Sequence, residues 1–268
     1  MDLVGRHNVT VAGPVDGQPL LFAHGFGCDQ HMWRHVVPAF EKTHRVVLFD
    51  FVGAGHSSAP YDPEKYADLD GYAADVLEIV RGLGLRKAIF VGHSVSAMIG
   101  ALAQVAAPEL FDRLVMVAPS PRYIDEGTYV GGFDEPAIQG LLEALRSNYL
   151  GWASSMAPLI VGNGERPELG VELTESFCRM DPAVAQGWAT ATFLADHRDV
   201  LPLVSVPTLV LQCRNDVIAP VSVGEYVADA IPQSQLVLLD ATGHCPNLSA
   251  PEETTAAIAA FLLPQAVI

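Results

Sequence analysis

Basic residues are scarce in this chain. Fifteen Lys and Arg face 31 Asp and Glu over 268 residues, giving a formal net charge of −16, and Lys and Arg form no cluster anywhere along it. Polyanions need concentrated positive charge, so nucleic acid and anionic membrane are excluded as expected partners. The acidic surplus reads as a solvated surface. Cysteine is scarce too: Cys28, Cys178, Cys213 and Cys245 lie far apart and form no C-x-x-C. Neither a zinc site nor a redox pair is expected, and free thiols in a reducing compartment are the default. No paired histidine and carboxylate at helical spacing suggests another metal, and no cofactor is called for. Long apolar runs are missing, and the start, MDLVGRHNVTVAGP, lacks both a basic-then-apolar leader and a small-residue cleavage site. A cytoplasmic protein is expected. Neither low-complexity tracts nor internal repeats occur.

What the chain does have is apolar material with frequent punctuation. Half of its residues are hydrophobic and 17% charged, with 23 Gly and 19 Pro, the composition of a compact globule with a sizeable core. Short apolar runs recur at Leu20 to Ala23, Val46 to Phe49, Ala88 to Val91, Leu114 to Ala118, Thr208 to Leu211 and Leu236 to Leu239. They are continuous rather than alternating, as in strands buried on both faces. Between them, Leu69, Tyr72, Val76 and Val80 repeat at helical spacing, as do residues from Ala97 to Ala106 and from Thr254 to Leu262. Strand and helix in alternation predict an α/β fold with a mostly parallel, doubly wound sheet.

The alternation stops after Ala118, where Pro119 and Pro121 break regular structure, and resumes only at Val206 and Pro207. Asp134 precedes Pro136 and the face Ile138, Leu141, Leu142, Leu145, while Asp181-Pro182 opens a helix running towards Leu194. About four helices are expected there, covering the sheet's carboxyl edge as a lid. The organisation is then a core of 1–119, a lid of 120–200 and a second core part of 201–268.

The strand KAIFV runs into Gly92-His93-Ser94-Val95-Ser96, and a small, apolar helix follows at once. Strand, tight turn and helix are the setting of a nucleophile elbow, in which the turn pushes the Ser94 hydroxyl into the open and small neighbours permit a strained backbone. Ser96 stands where such elbows commonly have glycine; on a helix its hydroxyl can bond back to a backbone carbonyl. His24-Gly25-Phe26-Gly27 follows the strand LLFA, so the backbone N–H groups of Phe26 and Val95 are the candidate oxyanion donors. His24 is read as structural.

His244 follows the strand SQLVLL, with Gly243 allowing the tight turn that brings an imidazole over the sheet edge. His93 is confined by the elbow, and His197 is a lone histidine of the lid segment. Asp216 follows the strand at Thr208 to Gln212 and preserves the order Ser, Asp, His with a strand before each; Asp240 and Asp199 compete for the role. Cys28 and Cys245 lie near these motifs but are read as small buried hydrophobes. Gly53-Ala54-Gly55-His56 lacks the continuation of a nucleotide loop.

Taken together, HGFGCDQ at His24 to Gln30, FDFVGAGHS at Phe49 to Ser57, GHSVSAMIG at Gly92 to Gly100, PELFDRLVMVAPSPRY, GGF at Gly131, LQCRNDVIAP and GHCPNLS carry a resemblance over nearly the whole chain. The chain resembles the RsbQ-like α/β-hydrolases, a group of bacterial stress-response regulators related to the plant strigolactone and karrikin receptors. The resemblance implies a four-helix lid over an apolar pocket and a triad matching Ser94, Asp216 and His244. It further implies Phe26, Tyr123, Phe133, Trp152, Met156, Phe177 and Phe193 as pocket residues. Two functions remain open: hydrolysis of a small apolar ester or lactone through an acyl-enzyme on Ser94, or a ligand sensor whose lid grips a PAS-domain PP2C-type phosphatase. The aspartate nucleophile of dehalogenases and epoxide hydrolases is excluded by serine at position 94.

Overall fold

The computed structural model describes residues 3–263. The outer ends of the two core segments read from the sequence, residues 1–2 and 264–268, lie outside the described residues. Among the described residues seven strands form one sheet: β1 (Thr10–Ala12), β2 (Gln18–Ala23), β3 (His44–Leu48), β4 (Ala88–His93), β5 (Phe111–Val117), β6 (Thr208–Asn215) and β7 (Ser234–Thr242). Their order is β1-β3-β2-β4-β5-β6-β7, with β1 antiparallel to β3 and every other pairing parallel. The helices are α1 (Leu3–Arg6), α2 (Leu69–Gly82), α3 (Val95–Ala106), α4 (Glu135–Ser147), α5 (Tyr149–Val161), α6 (Pro167–Cys178), α7 (Pro182–Phe193), α8 (Val221–Ala230), α9 (Pro246–Ser249) and α10 (Pro251–Leu262). None of them is long and apolar enough to cross a membrane.

All six residues of β4 are buried, which is why the sequence there runs AIFV without a polar interruption. The exposed strand β1, only three residues long, and the helix α8 were not disclosed by the apolar pattern. A short edge strand has one partner and no second face to bury, so its sequence carries no period.

Four helices, α4 to α7, lie between β5 and β6, in the interval where the strand pattern lapsed. Asp134 caps α4 by accepting from Ala137 N at 2.8 Å, and Asp181 caps α7 by accepting from Ala183 N at 2.8 Å. Trp188 of α7 roots this insertion in the core: it is fully buried, stacks on Tyr72 at 4.9 Å and meets Phe51 edge-on at 5.7 Å. Arg34 reaches across from the sheet side to Glu172 of α6 through paired bonds of 2.6 and 2.7 Å. With both partners about a third exposed, this pair contributes orientation more than stability, on the order of 1 kcal/mol or less.

Two glycines should respond to alanine with opposite sign. A Cβ at Gly92 would overlap the Ser96 carbonyl oxygen, a backbone atom that cannot swing away. Gly140 sits exposed inside α4 with nothing near its would-be Cβ. Urea denaturation should show Gly92→Ala destabilised by roughly 1–3 kcal/mol and Gly140→Ala stabilised by about 0.5–1 kcal/mol.

Candidate active site

The site begins with a backbone distortion. Where β4 turns into α3, Ser94 takes φ 56° and ψ −124°, a region that non-glycine residues avoid and that costs on the order of 1–3 kcal/mol. Hydrogen bonds hold it there: Ser94 N donates to Val117 O at 2.8 Å, and Ser94 O accepts from Ala97 N at 2.9 Å. The turn lifts the hydroxyl off the sheet's carboxyl edge at the amino terminus of α3. The opening N–H groups of α3, that of Val95 among them, have no intrahelical acceptor and present positive partial charge beside the hydroxyl.

His244 Nε2 lies 2.7 Å from Ser94 Oγ, and His244 Nδ1 lies 2.7 Å from Asp216 Oδ2. An ionised carboxylate only accepts, so the imidazole proton sits on Nδ1 and Nε2 is left to receive the serine proton. Asp216 also accepts through Oδ1 from Ile218 N at 2.8 Å and Ala219 N at 3.1 Å. Burial alone would push this carboxyl up, but His244 and the two backbone donors outweigh it, and its pKa falls below the usual carboxylate range. The arrangement can draw the proton from Ser94 and stabilise the imidazolium that results. The competing acids are elsewhere: Asp240 pairs with Arg214 at 2.5 Å on the surface, and Asp199 has no place at His244.

The loops around the triad are pinned by neutral groups. His24 is fully buried; its Nε2 accepts from Phe51 N at 3.0 Å, so its proton is on Nδ1, donated to Gly25 O at 2.9 Å. Burial lowers its pKa and keeps it neutral, consistent with a structural histidine. The Ser96 hydroxyl does not bond back along its own helix; it crosses to the carbonyl of His24. A position where glycine would only allow close packing thus becomes a tie between the elbow and the loop carrying Phe26.

Above Ser94 lies a narrow cavity lined at its base by Ser94, His93 and His244. Of the aromatic residues expected from the resemblance, Phe26, Tyr123, Trp152, Phe177 and Phe193 line it. Trp152 and Phe177 stack at 5.7 Å with planes 8° apart, and Phe26 meets both edge-on. Phe133 and Met156 are not among the residues that line the cavity: both are half-buried and pack on the hydrophobic core, and the backbone of Phe133 is bridged to Ile124. Ile160, Leu173, Thr192 and Ile218 complete the wall; of these only Ile218 lay within a quoted motif, LQCRNDVIAP, and none was marked as a pocket residue. Their side chains converge only through the packing of α5, α6 and α7 over the loop after β6. Cys28 and Cys245 also reach the wall, but burial pushes the Cys28 thiol up to about 12 and Cys245 well above its ordinary value, so neither is a thiolate nucleophile.

Residues 18–251 match the family model described as alpha/beta hydrolase fold. A probable esterase of Oryza sativa subsp. japonica is 41% identical over 92% of this chain and 92% of its own length. A strigolactone esterase of Arabidopsis thaliana is likewise 41% identical, with 92% of each protein covered. Among solved structures, a hydrolase from Oleispira antarctica superposes with a TM-score of 0.95 at 39% identity, over 98% of this chain and 97% of that one. The chain belongs to the α/β-hydrolase family of enzymes.

Proposed function

We propose that the protein is a serine hydrolase of RsbQ-like type that cleaves a small apolar ester or lactone. Ser94 attacks the carbonyl, His244 takes and returns the proton, and Asp216 fixes the imidazole. The backbone N–H groups of Phe26 and Val95 receive the oxyanion. The observation that carries this reading is the unbroken relay Ser94–His244–Asp216 on the floor of an apolar cavity. The similarity to proteins described as esterases, including a 3-oxoadipate enol-lactonase of Acinetobacter baylyi at 25% identity, supports the bond type. Residues 120–200 act as the lid, and the site of action is the cytoplasm.

A second reading is favoured by the cavity's size. Its free volume is about 40 Å³, small beside the ~300–1,000 Å³ of ordinary ligand pockets. On this reading an ester or lactone is accommodated by movement of α5, α6 or α7, which couples ligand occupancy to lid position. α5 and the turn that follows it are moreover bonded to the loop of His244: His244 N donates to Ile160 O at 2.8 Å, and Asn163 Nδ2, two residues past α5, donates to Thr242 O at 2.8 Å. A lid that moves with its ligand suits a sensor, and likeness to a karrikin insensitive receptor of Petunia hybrida, 41% identical over 92% of each chain, points the same way. The partner under this reading is a PAS-domain PP2C-type phosphatase.

Ser94→Ala should reduce turnover of p-nitrophenyl acetate below about a thousandth of wild type while melting temperature stays close to it. Higher residual turnover would remove Ser94 from the role of nucleophile. Asp216→Asn should approach a ~10⁴-fold loss in kcat, while Asp240→Asn and Asp199→Asn stay near wild type. A comparable loss in either of those two would reassign the acid. For the sensor, Trp152→Ala and Phe193→Ala should weaken ligand binding in isothermal titration and phosphatase capture in pull-down, while a small fluorophosphonate still labels Ser94. Unchanged affinity and capture in both variants would leave the plain hydrolase.

A further inference from the structure

Ser94 and His244 lie 150 residues apart in the chain, and their 2.7 Å contact requires something to fix the height of the His244 loop above the elbow. His244 is held at both ends of its own backbone. Its N–H is bonded to Ile160 O of α5, and its carbonyl oxygen lies 2.7 Å from His93 Nε2. The two anchors differ in kind. Ile160 belongs to the inserted helices that wall the cavity, whereas His93 ends the central strand β4 and is the immediate neighbour of Ser94.

The protonation of His93 follows from its partners. A carbonyl oxygen only accepts, so the His93 proton is on Nε2 and is donated to His244 O. Nδ1 is then a bare lone pair with no hydrogen-bond partner among the described residues, pressed against Gly25, where a Cβ would lie 2.5 Å away. The side chain is 2% exposed. Burial first, then the adjacent His244 and more weakly His24, hold its pKa down at about 3, against the upward pull of the His244 carbonyl and Asp216. One neutral tautomer is thus available at any pH at which His244 can act as a base.

We propose that His93 is a positioning residue for the reaction: its Nε2–H bond to the His244 carbonyl sets the reach of His244 Nε2 to Ser94 Oγ from the nucleophile's own backbone. The inference rests on Ser94 and His244 being the reacting pair. The bond closes a ring that runs from the Ser94 hydroxyl through the His244 side chain and carbonyl, then through the His93 imidazole and back along the His93–Ser94 peptide. Such a ring keeps the proton-transfer distance fixed while the other anchor, Ile160, follows the lid. A displacement near 1 Å at the reacting atoms can cost ~10²-fold in rate, and an interaction that serves proton transfer alone is lost from kcat rather than KM. A residue that merely fills space would be replaced without loss by an apolar side chain of similar size.

The test compares His93→Leu and His93→Gln with wild type for kcat and KM on p-nitrophenyl acetate, melting temperature, and imidazole tautomers by ¹⁵N NMR. Leucine fills the volume without a donor and should lower kcat by roughly 10–10²-fold with KM within about twofold. Glutamine places an amide N–H where Nε2 stood and should restore most of kcat. In wild type the His93 ring should remain the Nε2–H tautomer across about pH 5–8, where an ordinary histidine titrates. Wild-type kcat in His93→Leu, equal impairment in His93→Gln, or a wild-type His93 carrying its proton on Nδ1 would each overturn the proposal. Should His93→Leu not fold, the wild-type tautomer and the activity of His93→Gln decide it alone. Ser94→Ala separates the two levels: if it retains turnover, the nucleophile assignment is at fault. If it is inactive while His93→Leu is unimpaired, only the role given to His93 falls.

Discussion

The strained backbone of Ser94 is the constraint on which the site depends. A serine with φ 56° at the junction of strand and helix reverses the chain within one residue, so its side chain stands clear of the sheet at the amino end of α3. That conformation persists because its surroundings over-determine it. β4 is buried along its whole length, α3 packs on it closely at Gly100 against the Phe90 ring, and Ser94 N is bonded across to β5. The free energy of burying these apolar elements, at roughly 25 cal/mol per Å² of apolar surface, offsets a local cost of a few kcal/mol.

Around this point the protein solves a polar problem in an apolar place. Buried polar groups are costly when unpaired, and the same low dielectric strengthens those that are paired. Asp216 is kept ionised by His244 and the backbone N–H groups of Ile218 and Ala219, whereas His24 and His93 are kept neutral by burial and each carries its proton on the nitrogen its acceptor demands. Three ties converge on the elbow: Ser96 to His24, His93 to His244, and His244 to Ser94 itself. On the proposed mechanism, these ties let the proton move without rearranging its neighbours, which is the condition for electrostatic preorganisation.

The inserted helices add a different kind of control. Their aromatic stack of Trp152 and Phe177 against Phe26 walls the cavity, and stacked or edge-on pairs of this kind are worth about 0.5–1.5 kcal/mol each beyond area burial. α5 both lines the cavity through Trp152 and Ile160 and holds the His244 loop, so one helix joins the cavity wall to the histidine at its base.

Much of this molecule was legible in its sequence, for local reasons. Buried parallel strands must be continuously apolar, so β2, β4, β5 and β6 announced themselves, and Asp134 and Asp181 marked helix starts because a cap bonds within three residues. The elbow was readable because its turn, its glycine and its small helix are contiguous. β1 and α8 were not, since an exposed edge strand and a short helix have little apolar period. The bond partner of Ser96 was also out of reach: its hydroxyl was expected to turn back along its own helix, and it meets His24 instead, 72 residues away. Sequence placed Ser94, Asp216 and His244 each at the end of a strand. Tertiary structure alone decided that they stand 2.7 Å apart, that Phe133 and Met156 fall outside the cavity while Ile160, Leu173, Thr192 and Ile218 enter it, and that His93 holds the carbonyl of His244. The physical reason is one of range: propensity, capping and strand burial are set by residues within a turn of one another, whereas distances between loops are set by how whole layers pack.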